Sequence, residues 1–325
     1  MADVMKQYAC LHTHSTHSDG IYSPCKLAEV AYHEGYGAIA LTDHDTVTGN
    51  RELMEECKKY GLDSIFGIEF STKSRECHSN FHVTAFHIDP EYPELRDYLD
   101  KLSEKETDQT RILFKRGVDI GFIKGITWDE VLEYNAGISW LCNEHVFRAM
   151  KSKGLITDIE YPEFFDTCFG IHRHEVPPKH EYMDVKELIP LIHRAGGIAV
   201  FAHPSPSVKE LTHIEKMLEY GVDGIEVWHG DLNIETRRNT LRAARKYDLY
   251  VSGGADHSGL LGGEYSKYEK PEETIYYFPP TTLGTTKYFF EEIRDVKKKP
   301  DRLAVMDELI ENDELWVSSG GLKRN

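Results

Sequence analysis

The 325-residue sequence predicts an α/β fold of the barrel type, with about seven strands and one long interruption. Short apolar runs alternate with amphipathic stretches, the rhythm of βα units. The length suits two domains or one α/β barrel. His, Asp and Glu recur at the C-terminal ends of the expected strands, and in a parallel barrel that rim is where sites are built. A hydrophobic share of 40% against 29% charged residues is enough for a buried core.

In chain order, the first strand is expected at 8–12, followed by a helix at 24–35. A strand at 38–42 and a helix at 50–60 come next. The apolar runs at 64–70 and 81–88 are candidates to pair closely. A helical and irregular stretch fills 93–184. The rhythm resumes with a helix at 185–195 and a strand at 198–202, then helix 211–220, strand 224–228, helix 234–247 and strand 249–253. Strand rhythm fades after residue 261, and 285–325 reads as one or two helices with a polar, frayed tail. The expected organisation is a barrel from 1–90 and 185–285, an inserted helical cap at 91–184, and a C-terminal helical extension at 286–325.

Composition narrows the function. Lys and Arg number 38 against 55 Asp and Glu, a net charge of −17, which disfavours an extended nucleic-acid grip. A small anionic substrate stays compatible, because metal ions can supply local positive charge. No apolar run approaches the ~20 residues that span a bilayer, and the polar His12-Thr13-His14 comes too early for a secretory apolar core. Six scattered cysteines without a Cys-x-x-Cys pair read as reduced, cytoplasmic thiols.

The 17 histidines carry the argument. Strand one ends in His12 and His14, which share a face by strand alternation, with Asp19 in the following turn. Strand two ends in Thr42-Asp43-His44-Asp45 and strand three in Glu69. Strand four contains His82 and His87. The last three end in His203, in His229, and in Asp256-His257. Any one of these could be an ordinary surface or core residue; their recurrence at every strand end is what an uninvolved set does not explain. Neutral imidazoles and carboxylates suit Zn²⁺, Mn²⁺ or Fe²⁺. So many donors exceed one ion's needs and fit two or three divalent ions about 3.5–4 Å apart. Glu69 is the natural bridge, since a carboxylate offers two oxygens and a neutral imidazole one lone pair.

The strings Leu11-His12-Thr13-His14-Ser15-Thr16-His17-Ser18-Asp19-Gly20, Leu41-Thr42-Asp43-His44-Asp45, Gly67-Ile68-Glu69-Phe70, Phe201-Ala202-His203-Pro204 and Gly253-Gly254-Ala255-Asp256-His257 resemble the polymerase and histidinol phosphatase (PHP) domain. The resemblance covers about residues 8–89 and 190–260. It implies a distorted (β/α)7 TIM-like barrel with a trinuclear metal site that hydrolyses phosphate esters, in the branch of stand-alone small-molecule phosphoesterases. It also implies the ligand sets: His12, His14, Glu69 and Asp256 for the first metal; Glu69, His82 and His203 for the second; Asp19, His44 and His257 for the third. Three departures stand out. The family's Asp-x-His motif appears as adjacent Asp256-His257. Cys10 occupies a position that is often acidic. The cap's Arg-Pro-His string appears as Asn143-Glu144-His145, so Arg148, one turn on, is expected to grip phosphate in place of the missing arginine.

The implied chemistry is attack on phosphorus by a hydroxide bridging two metals, with His229 a candidate general acid that could equally just line the mouth. Asn143, His145, Arg148, Lys179 and Ser205 are candidate substrate contacts, and His172-Arg173-His174-Glu175 is a further polar string in the insert. The expected substrate is a small phosphorylated metabolite: a nucleoside phosphate, a nucleoside bisphosphate or a ribose cyclic phosphate. Histidinol phosphate is the rival within the family. A metal-dependent amidohydrolase cleaving a C–N bond, a docking domain without catalysis, and a nuclease acting at a strand end are the other readings. Metal identity and oligomeric state stay open.

Overall fold

The computed structural model describes residues 7–177, 182–204, 210–230, 232–256 and 284–312. Two βα units open the chain: β1 (Gln7–Cys10) with α1 (Pro24–His33), and β2 (Ala38–Leu41) with α2 (Asn50–Tyr60). They are followed by a long hairpin of β3 (Asp63–Ser74) and β4 (Ser79–Phe86). Helices α3 (Pro93–Asp119), α4 (Trp128–Tyr134) and α5 (Asn143–Ser152) come next, with further short helical turns to His174. The alternation then resumes as α6 (Val185–Arg194), β5 (Ile198–Phe201), α7 (Glu210–Glu219), β6 (Gly224–Trp228), α8 (Ile234–Tyr247) and β7 (Tyr250–Gly253). A two-residue β8 (Thr285–Thr286) and the helices α9 (Lys287–Asp295) and α10 (Arg302–Glu311) complete it.

Local chemistry explains most boundaries. Ser23 caps α1 ahead of Pro24, and Asn233 caps α8 by accepting from the Thr236 amide. Gly61 ends α2 in the left-handed region open to glycine. In α6, Val185, Leu188, Ile189, Leu191 and Ile192 form one buried stripe against the sheet, started by the Asp184 cap.

The sheet runs in the order β7-β6-β5-β4-β3-β2-β1-β8 and is a nearly closed barrel. β1, β2 and β3 pair in parallel, as do β5, β6 and β7. β4 is antiparallel to both β3 and β5, and β8 is antiparallel to β1. The expected close pairing of 64–70 with 81–88 is therefore a reversed strand in the middle of the barrel. β8 left no apolar run to read, because it is two threonines long.

The remaining gap is closed by short-range contacts rather than a full ladder. Leu11 donates its amide to the Gly253 carbonyl (3.0 Å), and Asp256 donates to the His12 carbonyl (2.9 Å). This seam depends on Gly254, where a Cβ would fall 2.3 Å from that of His12. The insertion between β4 and β5 has its own apolar cluster, including Leu113, Phe114, Val146, Phe147, Phe164 and Phe169. Among the described residues no helix is long and apolar enough to cross a membrane.

The C-terminal helices are locked by Arg302. Its buried guanidinium donates to both oxygens of buried Glu292 (3.0 and 3.1 Å), to Asp248 and to the Leu249 carbonyl just before β7. Removing one partner strands the other charge in the interior. Arg302→Met should therefore lower unfolding free energy by about 3 kcal/mol in urea titration. A loss near zero would show that Glu292 is already neutral or solvated.

Candidate metal centre

Glu69 is the centre of the site. It lies in the middle of β3 with no solvent exposure. Its Oε1 is 3.1 Å from His12 Nε2, 3.1 Å from His82 Nδ1 and 3.0 Å from His203 Nε2. Its Oε2 is 3.1 Å from His44 Nδ1 and 3.4 Å from His14 Nε2. Five imidazoles thus surround one carboxylate. Burial pushes its pKa up, but the facing His12, His82 and His44 overcome this and hold it well below the ordinary range.

The topology explains how five elements reach one point. Thr13 returns to pair with the extension of β2, and His44 pairs in parallel with Glu69, continuing the β2–β3 ladder past Leu41. In the hairpin, His82 faces Ser71, two residues from Glu69, so His82 and Glu69 share a face. The reversal of β4 sends its other histidine, His87, to the opposite end, where its Nε2 donates to the Ile293 carbonyl (2.9 Å). His203 and Asp256 sit just after β5 and β7 with φ of 26° and 48°. Left-handed backbone at non-glycine residues is costly and is maintained only where surrounding structure fixes it.

Around this centre, His14 Nε2 is 2.9 Å from Asp256 Oδ1, and His14 Nδ1 is 3.6 Å from Asp19 Oδ1. His44 Nε2 lies 4.0 Å from Asp19 Oδ2. His229 is buried, its Nε2 3.1 Å from Asp256 Oδ2. The donor atoms fall into overlapping groups: His12, His14, Glu69 and Asp256; His44, Glu69 and His82; His14, Asp19 and His44; His12, Glu226 and His229.

Glu226 is the residue that sequence reading missed. It interrupts the apolar run of β6 and is almost fully buried. One oxygen accepts from His12 Nδ1 (3.2 Å) and the other from the His203 backbone amide (2.8 Å). A charged residue inside an otherwise apolar strand is costly without partners, and that cost was the available clue.

The donor set fits divalent metal. With Nδ1 donating to Glu226, a neutral His12 directs the lone pair of Nε2 at Glu69. His12 Nε2, His14 Nδ1, His44 Nδ1 and Glu69 Oε2 are all buried without a hydrogen-bond partner. Burial opposes protonation of His12 and His14, yet the carboxylates around them raise both pKa values well above the ordinary one. Lone pairs facing lone pairs at about 3 Å need a cation, whether proton or metal, between them.

The other expected site residues separate. Asp43 accepts from the Ser15 amide (2.6 Å) and the Ser15 and Ser18 hydroxyls, fixing the loop after β1. Cys10 lies in the seam, where its sulfur receives the Ala255 amide (3.3 Å). Asn143, His145 and Arg148 are buried in α5. Asn143 donates to Tyr161 (3.0 Å) and Glu144, whereas Arg148 donates to three backbone carbonyls of residues 16–20. Lys179, Ser205 and His257 lie outside the described residues. In the polar string of the insert, Arg173 pairs with buried Glu106 and His172 with Glu175.

His145 Nδ1 accepts from the Cys142 amide (3.0 Å) and Nε2 donates to the Thr16 carbonyl (3.1 Å), so the ring is neutral. Burial, with the Arg148 charge added, holds its pKa well below 6.5. The unfolded chain binds a proton here below about pH 6.5 and the folded chain does not. Stability from this group is complete above that pH and falls as pH drops through it. Metal-free His145→Gln should lose less stability between pH 7 and 5 than the unsubstituted chain, by about one proton's slope. Equal slopes in urea titrations would show that the native ring is protonated.

Known proteins resemble this chain over most of its length. The PHP domain family model matches residues 11–195. A 5'-3' exoribonuclease of Haemophilus influenzae is 29% identical over 253 residues, covering 76% of this chain and 88% of the relative. The phosphoribosyl 1,2-cyclic phosphate 1,2-diphosphodiesterase of Eggerthella lenta is 26% identical over 255 residues, 78% of this chain and 94% of the relative. The 3',5'-nucleoside bisphosphate phosphatase of Chromobacterium violaceum is 27% identical over 263 residues, 78% and 88% of the two chains. Among solved structures, a Bifidobacterium adolescentis protein described as a metal-dependent phosphoesterase superposes with a TM-score of 0.69 at 25% identity, covering 90% of this chain and 98% of that one. With more than half its length matched by that family's model, the chain belongs to the PHP domain family.

Proposed function

We propose that this chain is a metal-dependent phosphoesterase acting on a small phosphorylated metabolite that carries ribose. The single observation behind this reading is the Glu69 carboxylate shared by five imidazoles. Two or three divalent ions, of manganese, zinc or iron, fit that donor set. His12, His14, Glu69 and Asp256 would hold one, Glu69 with His82 and His203 a second, and Asp19 with His44 a third, for which the expected third ligand, His257, lies outside the described residues. Such ions supply a water nucleophile at neutral pH and offset charge on phosphoryl oxygens.

The chain's own residues have defined tasks in this reading. Glu226 holds His12 in one tautomer and fixes the His203 backbone. Asp43 shapes the turn that presents Asp19. His229, beside Asp256 and within reach of the cluster, is the candidate to pass a proton to a departing ester oxygen. Trp140, from the insert, brings its indole within 6.5 Å of the His44 ring, centroid to centroid, and offers an apolar wall to a sugar or base.

The names of the relatives support ribose phosphates: a phosphoribosyl cyclic phosphate in one, a nucleoside bisphosphate in another. A second reading, removal of nucleotides from an RNA 5' end, is favoured by the exoribonuclease relative. The net charge of −17 limits it to the strand end rather than an extended groove. Histidinol phosphate hydrolysis uses the same donor set, and C–N bond cleavage is the reading from another class. The unpaired state of all six cysteines accords with a cytoplasmic setting.

A turnover panel separates these readings. It would contain a nucleoside 3',5'-bisphosphate, AMP, ribose 1,2-cyclic 5-phosphate, histidinol phosphate and a 5'-phosphorylated RNA oligomer. A ribose phosphate should be turned over fastest, and His12→Ala should lower kcat by at least about a hundredfold. Chelation should abolish turnover, and Mn²⁺, Zn²⁺ or Fe²⁺ should restore it. RNA outpacing every small ester would select the second reading. Silence on the whole panel by metal-loaded protein would point to C–N hydrolysis.

A further inference from the structure

The expected phosphate-gripping residue of the insert is committed elsewhere. Arg148 is buried in the middle of α5, and its guanidinium donates to the carbonyls of Gly20, Ser18 (3.1 Å) and Thr16 (3.2 Å). His145, on the same helix, donates from Nε2 to the same Thr16 carbonyl. The Cys142 sulfur lies 3.9 Å from the Ser18 carbonyl. One face of α5 thus captures three carbonyls of a five-residue turn. From the other side, Asp43 accepts from Ser15 and Ser18. Gly20 completes the turn, since a Cβ there would fall 2.3 Å from the His14 carbonyl oxygen. The residue carried by this doubly held turn is Asp19, which faces His14 and His44.

We infer that Arg148 is a positioning residue through which the insert holds Asp19 in place for the metal it would share with His44, rather than a phosphate ligand. A planar guanidinium can donate to several carbonyls at fixed angles, which an ammonium cannot. Carbonyls converging on one charge would otherwise face each other, so the turn's shape depends on that charge. This inference rests on the reading of Asp19 and His44 as ligands of one metal.

The test uses full-length protein stripped by chelator, reloaded with Mn²⁺ and measured for bound metal by mass spectrometry. Asp19→Asn, Arg148→Ala and Arg148→Lys are compared. Asp19→Asn and Arg148→Ala should lose the same metal equivalent, or bind it about 10–100-fold more weakly. Arg148→Lys should weaken it too, despite keeping the charge. In Arg148→Ala, added guanidinium should restore both metal and rate; in Asp19→Asn it should not. On the best phosphoester, kcat should fall with KM changed less than about threefold. Full metal content in either Arg148 variant, or a tenfold rise in KM at unchanged metal content, would overturn the inference and return Arg148 to the substrate. Full metal content in Asp19→Asn would instead remove the ligand reading itself. If Arg148→Ala does not fold, the Lys variant alone decides between these outcomes.

Discussion

A carboxylate with no access to water sits at the middle of the barrel, and the arrangement of the site follows from the need to satisfy it. Isolated, a buried Glu69 would take up a proton; with five ring nitrogens within 3.4 Å it stays charged and well below its ordinary pKa. Those imidazoles in turn need orientation. Glu226 fixes His12 from behind, and Asp256 engages both His14 and His229. The centre is thus a buried network of nitrogen and oxygen donors whose remaining unpartnered atoms need a cation between them.

The barrel's irregularities serve this network. A uniformly parallel sheet would deliver donors only from strand C-terminal ends. Reversing β4 brings His82 in from a strand's N-terminal half, opposite Ser71, and sends His87 away to Ile293. The closure between β1 and β7 then places His12 and His14 beside Asp256 across a seam that Gly254 keeps tight. Strained backbone at His203 and Asp256 falls at the two points where a strand must stop and turn a side chain inward.

Much of this was legible in the residues. Strand-end His, Asp and Glu marked the cluster because such residues have no reason to recur at a barrel rim otherwise, and the apolar stripe of α6 gave its position directly. Glu226 escaped notice because its sequence neighbours, Ile225 and Val227, made β6 look like an ordinary buried strand. The commitment of Arg148 was illegible for a different reason. Nothing in local sequence tells whether a guanidinium faces a ligand or another segment's carbonyls, and its partners lie about 130 positions away. β8, two threonines long, carries no periodicity at all.

His14 and Asp256, in contact in the folded protein, are separated by 242 positions of chain. As the polypeptide leaves the ribosome, the His-x-His pair is therefore exposed to solution long before its distant carboxylate partners exist. The order of synthesis thus makes the closing of the seam beside β7, not the first motif, the step that completes the cluster.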